Sequence, residues 1–241
     1  MPLVKKYQDK ADAVLALCDN LSVDFDVVIL QKYTHEVFND SNIRKIELFA
    51  KLVHLRDLEP RFEQYLISKT ASKQLAHHKD SRNPLHYALD LIIGWLSEDI
   101  IFYFLKSNGI SLKYFGKDQQ REILTSRDVS ADSDFVISTK DTDFQLELMI
   151  DWNNYWRRYN VCNVRASKIE KLIHSSGIFL GVDAHTGDCI YSHFHTEIDH
   201  GWEFEKSHKP FGGKSVWSLK GVSATSKSKE QVVNELLSLG Q

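Results

Sequence analysis

The stretch SDFVISTKDTDFQLELMIDW, residues 133–152, constrains this chain more than any other. It reads as two β-strands joined by a tight turn. The first, Asp134–Thr139, is bounded by polar residues and rich in β-branched and aromatic side chains. The second, Phe144–Trp152, alternates so that Gln145, Glu147, Met149 and Asp151 share one face. Lys140-Asp141-Thr142-Asp143 supplies polar turn residues between them. A hairpin centred between Lys140 and Asp141 sets Asp134 directly opposite Glu147, with Cβ atoms roughly 5 Å apart. Two facing carboxylates with no cation between them repel, and a divalent metal is one way to make the arrangement favourable.

Such a hairpin needs a core to sit in. The chain has 241 residues, 42% of them hydrophobic and 26% charged, which suits one large domain or a domain with an appended subdomain. A net charge of -3 does not advertise a nucleic-acid binder, but a local basic cleft matters more than the total. Cys18, Cys162 and Cys189 are scattered without metal-ligand spacing and read as reduced thiols. No apolar run approaches the roughly 18 residues of a membrane span, and MPLVKKYQDK lacks the apolar core of a signal peptide. The expectation is a soluble, cytoplasmic protein with no membrane contact.

Residues 1–82 read as a helical N-terminal region, suited to dimerisation or DNA contact. Its end, 68–82, carries Lys69, Lys73, His77, His78, Lys79 and Arg82 with few apolar positions: a solvated linker, or an arm that contacts phosphate. Asn83-Pro84 then opens the strongest helix in the sequence, which runs through Leu89, Ile92, Leu96, Ile100 and Leu105 and stops at Asn108-Gly109. Glu98-Asp99 interrupts its apolar run. Ile110–Tyr114 reads as a strand, with Arg121–Leu124 as an extension. After the hairpin comes a helix from about Val164 to His174, carrying Arg165 and Lys168 at i and i+3 on one face. Ser175-Ser176-Gly177 closes it. Strands follow at Ile178–Val182 and Cys189–His193, joined by a turn at His185–Asp188, then a strand at Ser215–Val222 and a helix from about Lys229 to Leu239. The order helix, strand, hairpin, helix, strand predicts an α/β or α+β core with a central mixed sheet flanked by helices. The divisions expected are 1–82, a catalytic core at 83–195, and a C-terminal extension at 196–241.

This layout, with its acids at Asp134 and Glu147, resembles the PD-(D/E)xK nuclease superfamily, the restriction-endonuclease-like fold. Its usual plan is a core helix, three antiparallel strands bearing the acids, a second helix and a further strand, here about Asn83 to Tyr191. The first Asp maps to Asp134, preceded by Ser133 where the pattern often has Pro, and the second acid maps to Glu147. The acid of the first core helix maps to Glu98, a further metal ligand. The resemblance implies a type II restriction endonuclease: Mg²⁺-dependent hydrolysis of double-stranded DNA at a specific short sequence, leaving 5′-phosphates. Asp134, Glu147 and the Leu148 carbonyl would hold the metal, a hard cation that prefers oxygen. A palindromic target would favour a homodimer.

The family's lysine position is occupied by Met149, whose thioether can neither orient nor deprotonate water. Asp151 shares the Glu147 face but lies about 13 Å along the strand, too far to share a metal. Lys168 is the candidate for the displaced lysine, because its helix packs back over the same strand, and Arg165 would contact phosphate. Other DNA contacts expected are Lys73 and Lys79 in the arm, and Lys209 and Lys214 beside Gly212-Gly213, which can be a close approach to DNA or a plain hairpin turn. Two other readings compete. One is a non-catalytic DNA-binding relative that kept the fold and lost its lysine. The other is a zinc or iron enzyme built on His193, His195 and Glu197 along one strand face, with His200 nearby.

Overall fold

The computed structural model describes residues 3–24, 84–115, 132–194 and 201–239. In chain order these form α1 (Leu3–Leu21), α2 (Pro84–Ser107), β1 (Leu112–Tyr114), β2 (Phe135–Ser138), β3 (Asp143–Asp151), α3 (Tyr155–Tyr159), β4 (Val161–Arg165) and α4 (Ala166–His174). They continue as β5 (Ile178–Asp183), β6 (Cys189–His193), β7 (Trp202–His208), β8 (Lys214–Lys220), α5 (Val222–Thr225) and α6 (Lys229–Ser238). The chain divides into two compact units, residues 1–104 with 117–130 and residues 105–116 with 131–241.

In the first unit, α1 buries Ala13, Val14, Leu17, Cys18 and Leu21, a stripe of helical period. The second helix begins at Pro84 and stops before Asn108-Gly109, as the sequence predicts. Gly109 takes φ 83°, a left-handed backbone that glycine adopts at no steric cost, and its N–H donates to the Lys106 carbonyl at 3.1 Å. Asp99 is completely buried on this helix, and after burial itself its charge is the second cause that holds the Tyr103 hydroxyl above its usual pKa.

The second unit is built on a five-stranded mixed sheet in the order β1-β2-β3-β5-β6. Strands β1, β2 and β3 form an antiparallel meander, β5 runs parallel to β3, and β6 returns antiparallel to β5. The hairpin register is the one expected from its turn as far as Phe135, which faces Leu146, while Ser138 faces Asp143; at Asp134 it slips, because that residue's N–H also turns to the Leu146 carbonyl. Thr139 closes the turn twice, through its N–H and its hydroxyl, both donating to the Thr142 carbonyl. Two parallel strands need a crossover, and here it runs through α3, β4 and α4. The result is a mixed α/β plan: an antiparallel meander, a crossover helix and a parallel strand.

The α4 helix lies over the sheet with Ala166, Ile169 and Leu172 buried. Around them pack Trp156, Phe179, Phe194 and Trp202, with Met149 against the same cluster. Each such fully buried large side chain contributes about 1.5–3 kcal/mol. Two glycines permit this approach. A Cβ on Gly177 would lie 2.7 Å from Leu172 Cδ2, and one on Gly181 would lie 2.7 Å from Trp156 Cη2. The helix ends in a Schellman motif: Gly177 N–H donates to Leu172 carbonyl at 2.7 Å and Ser176 N–H to Ile173 carbonyl at 3.3 Å. The left-handed residue of that motif is Ser176, at φ 49°.

A second sheet, in the order β4-β8-β7, departs from expectation. The helix predicted from Val164 begins instead at Ala166, because Val161–Arg165 is extended and pairs with β8 from Lys220 to Val216. Arg165 is therefore the last residue of a strand, and it does not share a helical face with Lys168. Residues 202–220, expected within a C-terminal extension, supply β7 and β8, which pair with each other and with this strand from inside 83–195. Gly212 and Gly213, both at positive φ, form the plain turn between β7 and β8.

Candidate functional site

Backbone geometry fixes Asp134 before its side chain does anything. Its N–H donates to the Leu146 carbonyl at 3.1 Å, and its carbonyl accepts from Phe115 at 3.0 Å. The residue is thus held between β1 and β3 at the mouth of the hairpin. Its Oδ2 accepts from the Leu148 N–H at 2.7 Å, which locks the carboxylate over β3. A strand residue sends its N–H and C=O to the same edge, so the Leu148 carbonyl leaves β3 on the Asp134 side.

Glu147 is not the solvent-facing acid that an alternating strand would suggest, being only 3% exposed. A charge so removed from water needs a partner. It has one in Lys168, whose Nζ donates to Glu147 Oε1 from the first turn of α4. The structure therefore joins two of the residues singled out in the sequence, Glu147 and Lys168, while Asp134 is tied to the next residue of β3, Leu148. Met149 turns toward the core cluster beneath α4, so the strand position has gone to packing while the helix above supplies an ammonium.

The remaining residues fall elsewhere. Glu98 is half-buried on α2, in the first unit, and the site built here draws on the second unit alone. Arg165 is exposed at the β4–α4 junction. Lys209 and Lys214 are exposed at the β7–β8 turn of the other sheet. Lys73 and Lys79 lie outside the described residues, as do Arg121–Leu124. So do His195, Glu197 and His200, while β6 ends at His193, whose ring packs edge-on to Phe144 at 5.1 Å.

Asp151 is buried and structural. Its two oxygens accept from Asn153 N–H at 3.1 Å and Trp156 N–H at 2.8 Å, capping α3. Its register partner is Asp183, equally buried, whose Oδ1 accepts from His185 and Thr186 N–H groups at 2.8 and 3.2 Å. Burial first, and the Asp151 charge as a further cause, raise the Asp183 carboxyl above its ordinary value despite those bonds.

Residues missed in the sequence complete the surroundings. Ser133 donates its hydroxyl to Gln145 Oε1 at 3.2 Å, and Lys171 Nζ lies 3.1 Å from Asp132 Oδ1. The signal for Lys171 was its place three residues after Lys168 on a helix.

As a metal site, the donor set is two carboxylates and one backbone carbonyl, all hard oxygens, which suits Mg²⁺ rather than a soft ion. Among the described residues, no three or more His, Cys, Asp or Glu side chains gather to hold a metal. Two protein carboxylates with water completing the shell is nevertheless how Mg²⁺ is ordinarily held, so the residues fit that ion.

No family model matches the sequence, and no match was found among curated proteins. Among solved structures, the chain is similar to Hjc, a Holliday junction resolvase of Archaeoglobus fulgidus, at 11% identity and a TM-score of 0.36, over 58% of this chain and 97% of that one. So loose a superposition lends nothing to the chemistry, which rests on this chain's own residues.

Proposed function

We propose that this protein is a magnesium-dependent endodeoxyribonuclease of the type II restriction kind, cleaving double-stranded DNA at a specific short sequence. The observation that carries the reading is the Lys168 ammonium seated on buried Glu147, with the Asp134 carboxylate bound to the N–H of the next residue, Leu148. Asp134, Glu147 and the Leu148 carbonyl would hold Mg²⁺. When bound, that ion polarises the scissile phosphate and lowers the pKa of an attacking water.

The chain's own residues do the rest. Leu148 N–H orients the Asp134 carboxylate, and Lys168 pairs with the buried Glu147 carboxylate. An ammonium has three donors, so Lys168 can keep Glu147 while offering another to the attacking water or to a phosphate oxygen. Charge developing on the phosphate is then met by a cation already in place. The water oxygen bonds to phosphorus as the bond to O3′ breaks, leaving a 5′-phosphate and a 3′-hydroxyl. Arg165, Lys209 and Lys214 supply contacts outside this centre, and a homodimer would cut both strands of a palindromic target.

The test is incubation of purified protein with mixed-sequence plasmid DNA and Mg²⁺. Discrete fragments whose sequenced ends share a short motif support the reading. The packing of partly buried Met149 against the core, where the family has lysine, favours a second reading, a DNA-binding relative without catalysis. Tight duplex binding with no cleavage under any divalent metal would establish that one instead.

A further inference from the structure

Lys168 is not the only cation that α4 directs at this hairpin. Lys171 stands one turn further on, on the same helical face, and pairs with Asp132 at 3.1 Å. Asp132 opens the run Asp132-Ser133-Asp134, which Ser133 ties to Gln145 of β3. Two ion pairs thus join one helix to one hairpin, and they differ in exposure. The Glu147 side chain is 4% exposed, whereas those of Asp132 and Lys171 are 38% and 34% exposed. The inner pair has one sealed member, Glu147, since Lys168 is itself 41% exposed, whereas both members of the outer pair stand at the rim, in reach of water and of any anion that arrives there. Ion pairs open to water hold weakly and exchange readily. A lysine's flexible stem and three donors let it change acceptors, and a phosphate oxygen is as good an acceptor as a carboxylate.

We infer that Lys171 is a DNA-backbone contact held in reserve by Asp132. In the free protein Asp132 occupies the ammonium; on binding, a phosphate beside the scissile one takes its place. Asp132 is then a competitor of the DNA, and its charge guards the rim against weak anions. The inference rests on the nuclease reading for the identity of the anion. A merely structural pair behaves otherwise, since losing either partner would then disturb binding in the same direction.

The test is fluorescence anisotropy with a labelled mixed-sequence duplex, Ca²⁺ replacing Mg²⁺ so that the strands stay intact, from ~50 to ~200 mM salt. Lys171→Ala is expected to weaken binding and to flatten the slope of log K against log salt by about 0.9, the amount for one phosphate contact. Asp132→Asn is expected to tighten binding, and the double variant to bind like Lys171→Ala. Lys171→Gln, which keeps the length of the stem, is the second variant should Lys171→Ala misfold. An unchanged slope in these variants overturns the inference, as does a tightening by Asp132→Asn that survives in the double variant; the nuclease reading then stands on wild-type binding and cleavage. Wild-type protein that fails to bind the duplex at any salt overturns both.

Discussion

Lys168, carried by α4, donates to the carboxylate of Glu147, carried by β3. A charge all but cut off from water thereby receives its counter-ion from a different element. Removing one member of such a pair costs more than the pair itself contributes, because the other is left buried and uncompensated. Lys168→Ala should destabilise the protein by about 1–3 kcal/mol, the lower end reflecting an ammonium that is 41% exposed. Cleavage should fall by about 10²-fold or more. Combining Lys168→Met with Glu147→Gln should recover most of the stability and none of the activity. Urea unfolding and plasmid cleavage measure the two separately, and wild-type cleavage by Lys168→Ala would remove this residue from the mechanism.

Asp134→Asn keeps an oxygen to accept the Leu148 N–H and loses the charge. Its unfolding midpoint should stay close to that of wild type, while cleavage should require higher Mg²⁺ and fall at saturation. A variant that cuts with unaltered Mg²⁺ dependence places the metal elsewhere.

Ser176 and Gly177 should respond in opposite directions. Ser176 is the left-handed residue of the Schellman motif, so Ser176→Gly should stabilise by about 1 kcal/mol. Gly177 lies where a Cβ meets Leu172 Cδ2 and the Gln145 carbonyl oxygen, at 2.7 and 2.9 Å, so Gly177→Ala should destabilise by about 1–3 kcal/mol. Thermal unfolding of the two variants decides, and the same sign for both would contradict the motif.

Asp183 has its carboxyl raised by burial and by the Asp151 charge. A folded pKa above the unfolded one means that its contribution to stability is fully present below the ordinary carboxylate range, near pH 4, and is lost as pH rises through the folded value. Asp183→Asn keeps the acceptor used by His185 and Thr186 and cannot ionise. The variant should therefore gain on wild type between about pH 4 and neutrality, with the difference levelling off above the folded pKa. Urea midpoints across that range test the slope; a gap that narrows with rising pH would refute it.

The hairpin was legible because its evidence is local. Polar turn residues and β-branched flanks set the centre of the turn, and the centre alone puts Phe135 against Leu146 and Ser138 against Asp143; the slip at Asp134 left no mark in the sequence. Lys168 was legible by subtraction, since Met149 left two acids with no cation on either strand. Arg165 was misread because valines and a cysteine before a helix suit a first helical turn as well as a strand; pairing with β8, some fifty residues away in sequence, decides the matter. The second sheet was illegible for the complementary reason. In β7, Glu203–Ser207 is exposed throughout, so no alternation marks it as a strand. Asp151 looked like a stray acid near the site because a cap reaching from a strand end to Trp156 N–H leaves no local signature. Burial of Glu147 was equally hidden, being a property of α4 lying above it rather than of the alternating strand it sits in.

Strand β4 runs into α4 with no residue between Arg165 and Ala166. A strand of one sheet and the helix over the other are therefore a single stiff arm, hinged on neither side by a loop. Its strand is clamped to β8, and the first turn of its helix carries the ammonium that rests on Glu147. Mechanically, the C-terminal hairpin is a handle and Lys168 stands just past the joint: a load borne by β7 and β8 would reach the Glu147 carboxylate through β4 without touching it.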